Sequence, residues 1–231
     1  MIPLRDINPT YRFPLITVSI IGLNVVVYLV ELLFQFTGQL NLFIASYAVI
    51  PFELTQGVDL APPSLHPTFL TVFTAMFMHG GFLHISGNML YLWIFGNNIE
   101  DNMGHVRFLI FYLTCGIVAT LAQVAVDPMS QIPNIGASGA IAGVLAAYLV
   151  MHPRAQVETL IFLGFFIRMI RLPAIVVIGF WIVIQLFQGV LSLGVSQTGG
   201  VAWFAHIGGF AAGLILVIFL RQRQTSPGRY T

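Results

Sequence analysis

The chain has 231 residues, of which 58% are hydrophobic and 7% are charged, with a formal net charge of +1 and one cysteine. A soluble domain carries roughly 25% charged residues, so only lipid can solvate this chain, as an integral membrane protein. The same figures exclude a nucleic-acid binder, which needs a clustered basic face in water. Lone Cys115 excludes a disulfide framework or a thiolate metal site, and is expected to face lipid or to pack within its span.

Apolar runs long enough for a hydrocarbon core of about 30 Å fall at about 14–36, 83–99, 106–126, 138–151, 174–194 and 201–220. The first lacks a small-residue cleavage site and is read as a retained helix rather than a signal peptide. Between it and the second lies the segment 38–82, too long for a turn. Its "NLFIASYAVIPFEL" is apolar enough to lie in the interface, and its "APPSLHPTFLT" is rich in proline. The stretch "AQVETLIFLGFFIRMIRLP" (155–173) is hydrophobic but interrupted by Gly164, Arg168, Arg171 and Pro173, which suits an interfacial loop. There is no internal repeat of the kind common in secondary transporters. The expected fold is an all-α integral membrane protein: one domain over 1–231 with six transmembrane helices.

Cytoplasmic loops accumulate Lys and Arg. There is no Lys, and six crossings with the N-terminus inside place all nine Arg on the cytoplasmic side: Arg5, Arg12, Arg107, Arg154, Arg168, Arg171, Arg221, Arg223 and Arg229. Both termini are therefore expected to be cytoplasmic. The opposite side carries Glu53, Asp59 and Asp127, with Glu31 near the outer end of the first helix.

Polar groups inside spans are costly and are functional candidates by default. Four stand out: Ser138 in "NIGASGAIAG", His206 in the last span, and His84 with Asn88, four apart on one helical face. Gly139, Gly143 and Ala147 form a small-residue stripe beside Ser138, while Gly209 and Gly213 share a face with His206. Two such faces can meet at backbone distance. A rise of about 1.5 Å per residue across a core of about 30 Å places all four polar residues roughly 6–12 Å below the outer surface.

A shared layer has a chemical use. A serine hydroxyl becomes nucleophilic when a base takes its proton, and neutral imidazole suits that task near pH 7. The oxyanion that follows needs donors, which His84, Asn88 and the Ser138 amide at a helix N-terminus can supply. No carboxylate lies at this depth on the fourth or sixth span, so Ser138 and His206 read as a dyad rather than a triad.

"GASG" with Ser138, "AHIGGFAAG" with His206, and "HGGFLHISGNMLYLWIFGNNIED" with His79, His84 and Asn88 closely resemble the rhomboid intramembrane serine proteases, over about 14–220. The resemblance implies a six-helix rhomboid-like bundle with Ser138 as nucleophile and His206 as base. It also implies His84, Asn88 and the Ser138 amide around the oxyanion. Gly136 and Ala137 would shape the approach to the serine, and Gly209 and Gly213 would hold the sixth helix against the fourth. Several members carry an aromatic residue four after the serine, against the histidine ring. Here that position is Ala142, so the resemblance does not say how His206 is held. The Trp-Arg pair of some members' first outer loop is absent.

The function expected is a multi-pass serine endopeptidase of a cell membrane, of the bacterial plasma-membrane type, cutting transmembrane segments near their outer ends. Its partners are transmembrane substrates and the lipid bilayer, with no cofactor and no metal; the sequence gives no oligomeric state. The alternative is a catalytically silent rhomboid-like protein that binds transmembrane helices; a transporter or channel ranks third. There is no HExxH, and Asp6, Asp59, Asp101 and Asp127 lie outside the depths of the spans, which argues against zinc and aspartyl chemistry. His79 and His105 are expected to be interfacial, His66 a loop residue and His152 a helix-end cation. Glu100 and Asp101 are expected to bond nearby loop groups, and Trp93, Trp181 and Trp203 to face the membrane or its aromatic belt.

Overall fold

The fold is that of a computed structural model, which describes residues 1–60, 63, 67–163, 166–193 and 200–221. His66, Gly164, Arg223 and Arg229 lie outside those residues. In chain order come β1 (Ile2–Asp6), α1 (Leu15–Phe36), α2 (Leu40–Tyr47), α3 (Pro51–Gln56) and α4 (Thr71–Thr74), the last flanked by 3-10 turns. Then follow α5 (Phe82–Tyr91), a π-turn over Leu92–Gly96, α6 (Asn97–Met103), α7 (His105–Val126) and α8 (Ser138–Met151). The strands β2 (Gln156–Leu163) and β3 (Phe166–Pro173) precede α9 (Ala174–Ser192) and α10 (Trp203–Leu220).

Among the described residues, four helices are long and apolar enough to cross a membrane: α1, α7, α9 and α10. A fifth arises if 68–77 and 82–103 are taken together across their 80° bend. The helix α8 has only 14 residues, about 21 Å at the α-helical rise, less than the hydrocarbon core. The expected six therefore stand as four, or five with the bent pair, plus one short helix.

The all-α expectation is corrected at the N-terminus and in the stretch between α8 and α9. The strands Gln156–Leu163 and Phe166–Pro173 pair antiparallel where an interfacial loop was expected, and β1 adds to them as a third antiparallel strand, in the order β1-β2-β3. The cause is visible in composition. Val157, Thr159, Ile161, Ile167 and Ile170 are β-branched and suit a pleated, half-buried surface, and Val157 and Thr159 are fully buried. Glu158 lies opposite both Arg5 and Arg171 and bonds each of them at 3.0–3.2 Å.

The helix α8 runs through the core. All ten residues from Gly139 to Tyr148 are buried, against Phe95, Phe108, Phe111 and Tyr112 among others. Near its C-terminal end, Tyr148 donates a hydrogen bond to Asp6 at 2.7 Å, fastening β1 to it. Cys115 is buried and packs on Gly143.

The first turn of α1 has no side-chain cap of its own, yet every helix start leaves backbone N–H groups without intrahelical acceptors. Glu100 supplies the acceptor from another helix: its carboxylate takes the Ile16 and Thr17 amides at 2.8 Å and the Thr17 hydroxyl at 2.7 Å. Asp101 accepts from the Tyr11 and Arg12 amides. Glu100 also pairs with His105.

Candidate active site

Ser138 opens α8, following Gly136 and Ala137. Gly136 has φ +129°, a conformation that L side chains rarely adopt. A β-carbon there would also lie 3.0 Å from the His84 ring. Glycine at 136 therefore lets the chain turn into α8 directly beneath the imidazole. Ser138, in the first turn, keeps its backbone N–H free of an intrahelical acceptor.

The serine meets the histidine because α8 and α10 cross at glycines. A β-carbon on Gly209 would collide with the Gly139 carbonyl, and one on Gly213 with the Gly143 carbonyl. At that spacing His206 Nε2 lies 2.7 Å from Ser138 Oγ. The start of α10 is held by Gln123 of α7, whose Oε1 accepts the Phe204 and Ala205 amides at 3.1 and 3.2 Å.

His206 is buried, and its Nδ1 lies 2.7 Å from Gln185 Oε1 on α9. The Trp181 and Trp203 rings flank it, with centroids 5.7 and 6.3 Å away. These residues, and not a partner at Ala142, hold the imidazole. Trp181 and Trp203 were expected at the lipid boundary; both are partly buried against the histidine, whereas Trp93 is exposed. Gln185 was missed, although an amide inside the apolar run "GFWIVIQLF" is the kind of intramembrane polar group that marks a site.

His84 and Asn88 share a face of α5 and line the same cavity as Ser138, His206, Trp181 and Gln123, with a volume of about 970 Å³. The Gly80 amide donates to His84 Nδ1 at 3.3 Å, which leaves Nε2 to carry the proton of a neutral ring, on the edge that faces Gly136. Asn88 Nδ2 lies 2.9 Å from His79 Nε2. His79 is buried within the protein, and its backbone N–H donates to both Glu31 carboxylate oxygens, at 3.0 and 3.2 Å. A carboxylate near the C-terminal end of α1 thus fixes the residue that fixes Asn88.

Outside the spans, His152 bonds Asn102 at 2.8 Å, and burial lowers its pKa below the usual value. It is a packed neutral ring, not the expected helix-end cation. Among the described residues, no group of three or more His, Cys, Asp or Glu is arranged to hold a metal ion. The arrangement offers a hydroxyl, a base in contact with it and N–H donors beside both, the set needed for acyl transfer.

Residues 66–223 match the Rhomboid domain, and the chain belongs to the rhomboid family. It is 33% identical over 142 residues to rhomboid protease GluP of Bacillus subtilis, covering 61% of this chain and 24% of that protein. It is 31% identical over 159 residues to the chloroplastic rhomboid-like protein 11 of Arabidopsis thaliana, covering 67% and 53%. With rhomboid protein 1 of yeast mitochondria it shares 29% over 97 residues, covering 40% and 28%. The matched segments thus span about a quarter to a half of these relatives' own lengths.

Proposed function

We propose that this chain is an intramembrane serine endopeptidase that cleaves transmembrane segments of other membrane proteins near their outer ends. The observation that carries this reading is the 2.7 Å contact between Ser138 Oγ and His206 Nε2. Ser138 is the nucleophile. His206 accepts its proton and returns it to the leaving amine. The Ser138 amide, His84 and Asn88 stabilise the oxyanion, while Gly136, Gly139, Gly143, Gly209 and Gly213 permit the close approach. Similarity to a relative named as a rhomboid protease supports the same activity.

The whole chain acts as one membrane domain with six crossings, α8 being the short one, and with both termini on the cytoplasmic side of a plasma membrane. The one-sided distribution of arginine supports that orientation. A short α8 also supports a serine set below the outer surface, which limits cleavage to the outer part of a substrate helix. Substrates with helix-breaking residues there are favoured, since a peptide bond must leave its helix before it can be attacked and Gly or Pro lowers that cost.

A fluorophosphonate probe tests the reading. Wild-type protein in lipid should label on Ser138, and Ser138→Ala and His206→Ala should each lose labelling and cleavage of a model transmembrane substrate. Because members of one catalytic unit are not additive, the double variant should be no slower than either single one. A wild-type protein that labels at no pH would favour the silent helix-binding alternative.

A further inference from the structure

A neutral imidazole carries one proton, so of the two contacts His206 makes, to Gln185 and to Ser138, only one can use a ring N–H. Gln185 decides which. Its Nε2 donates to the Trp181 carbonyl oxygen one turn back on α9, at 3.2 Å, a bond that only the amide nitrogen can make. The atom left facing the histidine is Oε1, which accepts and cannot donate. At 2.7 Å from it, His206 Nδ1 must therefore carry the proton. The lone pair of Nε2 then faces the Ser138 hydroxyl, which donates to it.

We propose that Gln185 is a positioning residue: an amide lock that holds His206 in the Nδ1–H tautomer with its basic nitrogen on Ser138. This rests on the dyad reading above and adds a third member to it. In soluble triads a buried carboxylate has this task. Within a membrane span a carboxylate would place a permanent charge in a low-dielectric setting, at a desolvation cost that an amide avoids. When Ser138 attacks, its proton moves to Nε2, the ring becomes an imidazolium, and Nδ1–H stays on Gln185 Oε1. No proton passes to the amide, and the departing amine later takes the proton from Nε2. The Trp181 and Trp203 rings limit rotation of the imidazole, while the amide sets its sense. Trp181 contributes twice, through its ring and through the carbonyl that orients Gln185.

The direct test is nitrogen NMR of protein carrying ¹⁵N-histidine in lipid bilayers, with His206 assigned by comparison with His206→Ala. Wild type should show a neutral ring protonated on Nδ1. Gln185→Met keeps the length of the side chain and removes the amide, so the tautomer should become mixed or reverse. Its kcat should fall about 10- to 100-fold with KM unchanged, between the few-fold worth of one neutral hydrogen bond and the about 10⁴-fold loss when a triad histidine takes the wrong tautomer. Gln188→Met, three residues along the same helix, should change neither. A wild-type ring protonated on Nε2 would overturn the lock, as would Gln185→Met with tautomer and kcat unaltered, or an equal loss in Gln188→Met. Fluorophosphonate labelling separates the two claims. An Nδ1–H ring without labelling leaves the lock standing and refutes the protease, whereas labelling with an Nε2–H ring does the reverse.

Discussion

Gly209 lies against Gly139 so closely that the Gly139 carbonyl oxygen occupies the space a β-carbon on Gly209 would need. One turn further along both helices, Gly213 and Gly143 repeat the relationship. The obstacle is backbone in each case, so a side chain cannot be accommodated by a rotamer change.

Gly209→Ala should therefore push α10 away from α8 and lengthen the Ser138–His206 contact. Overpacking of this kind costs about 1–3 kcal/mol, enough to lower the midpoint of thermal unfolding in detergent. On the proposed mechanism, loss of cleavage should exceed what the loss of folded protein explains, because proton transfer would depend on the distance that the glycines set. Gly22→Ala, where a β-carbon meets nothing within 4 Å, is the comparison and should leave both measurements unchanged.

Asn88→Ala should slow turnover without abolishing it. One oxyanion donor contributes about 10²- to 10³-fold, and on the proposed mechanism the Ser138 amide and His84 would remain. The loss should fall on kcat. His79→Leu, which removes the bond to Asn88 Nδ2 while leaving Asn88 in place, should reproduce part of that loss. A change confined to KM in steady-state kinetics would reassign Asn88 to substrate binding.

Glu100→Gln should destabilise the attachment of α1. The carboxylate accepts three hydrogen bonds from Ile16 and Thr17, and an amide would present a donor to part of that set of donors. Hydrogen bonds to charged groups contribute about 1.5–3 kcal/mol. The expected result is faster proteolytic nicking and hydrogen exchange near residues 13–18, measured on the protein in lipid.

The sheet should loosen in acid. Hydrogen bonds from Arg171, together with the nearby charge of Arg5, hold the Glu158 carboxyl below its usual value of 4.5. A group whose pKa is lowered by folding contributes stability that is complete above its unfolded value and is lost as pH falls through its folded value. Amide protection along β1 and β2, taken relative to the intrinsic exchange rate at each pH, should therefore be high near neutrality and fall below about pH 4.5. Glu158→Gln should show the lower protection already at neutral pH and respond less to acid.

Much of the site's placement was legible in the sequence because small residues at intervals of four are a direct statement about backbone approach: Gly139 and Gly143 facing Gly209 and Gly213 leave few ways to pair the two helices. The supports of the site were harder to read. Gln185, Trp181 and Trp203 sit on spans whose aromatic and amide residues also suit a lipid boundary, and periodicity does not say which face of an apolar helix turns inward. The part His79 plays behind Asn88 was not legible because its partner, Glu31, lies 48 residues away in sequence. The paired strands Gln156–Leu163 and Phe166–Pro173 were hidden by apolar residues on both faces, which blur the alternation that marks a strand half exposed to water.

Because α8 is enclosed on every side from Gly139 to Tyr148, it has no strip along which sequence can drift. Helices that touch lipid on one face, such as α1 with only Thr17, Ile20, Asn24 and Glu31 buried, tolerate replacement with the rhythm of the helical turn. Along α8 that rhythm vanishes. A saturation library of the whole chain would record ten adjacent positions of nearly uniform intolerance, flanked by helices whose tolerance rises and falls every three or four residues.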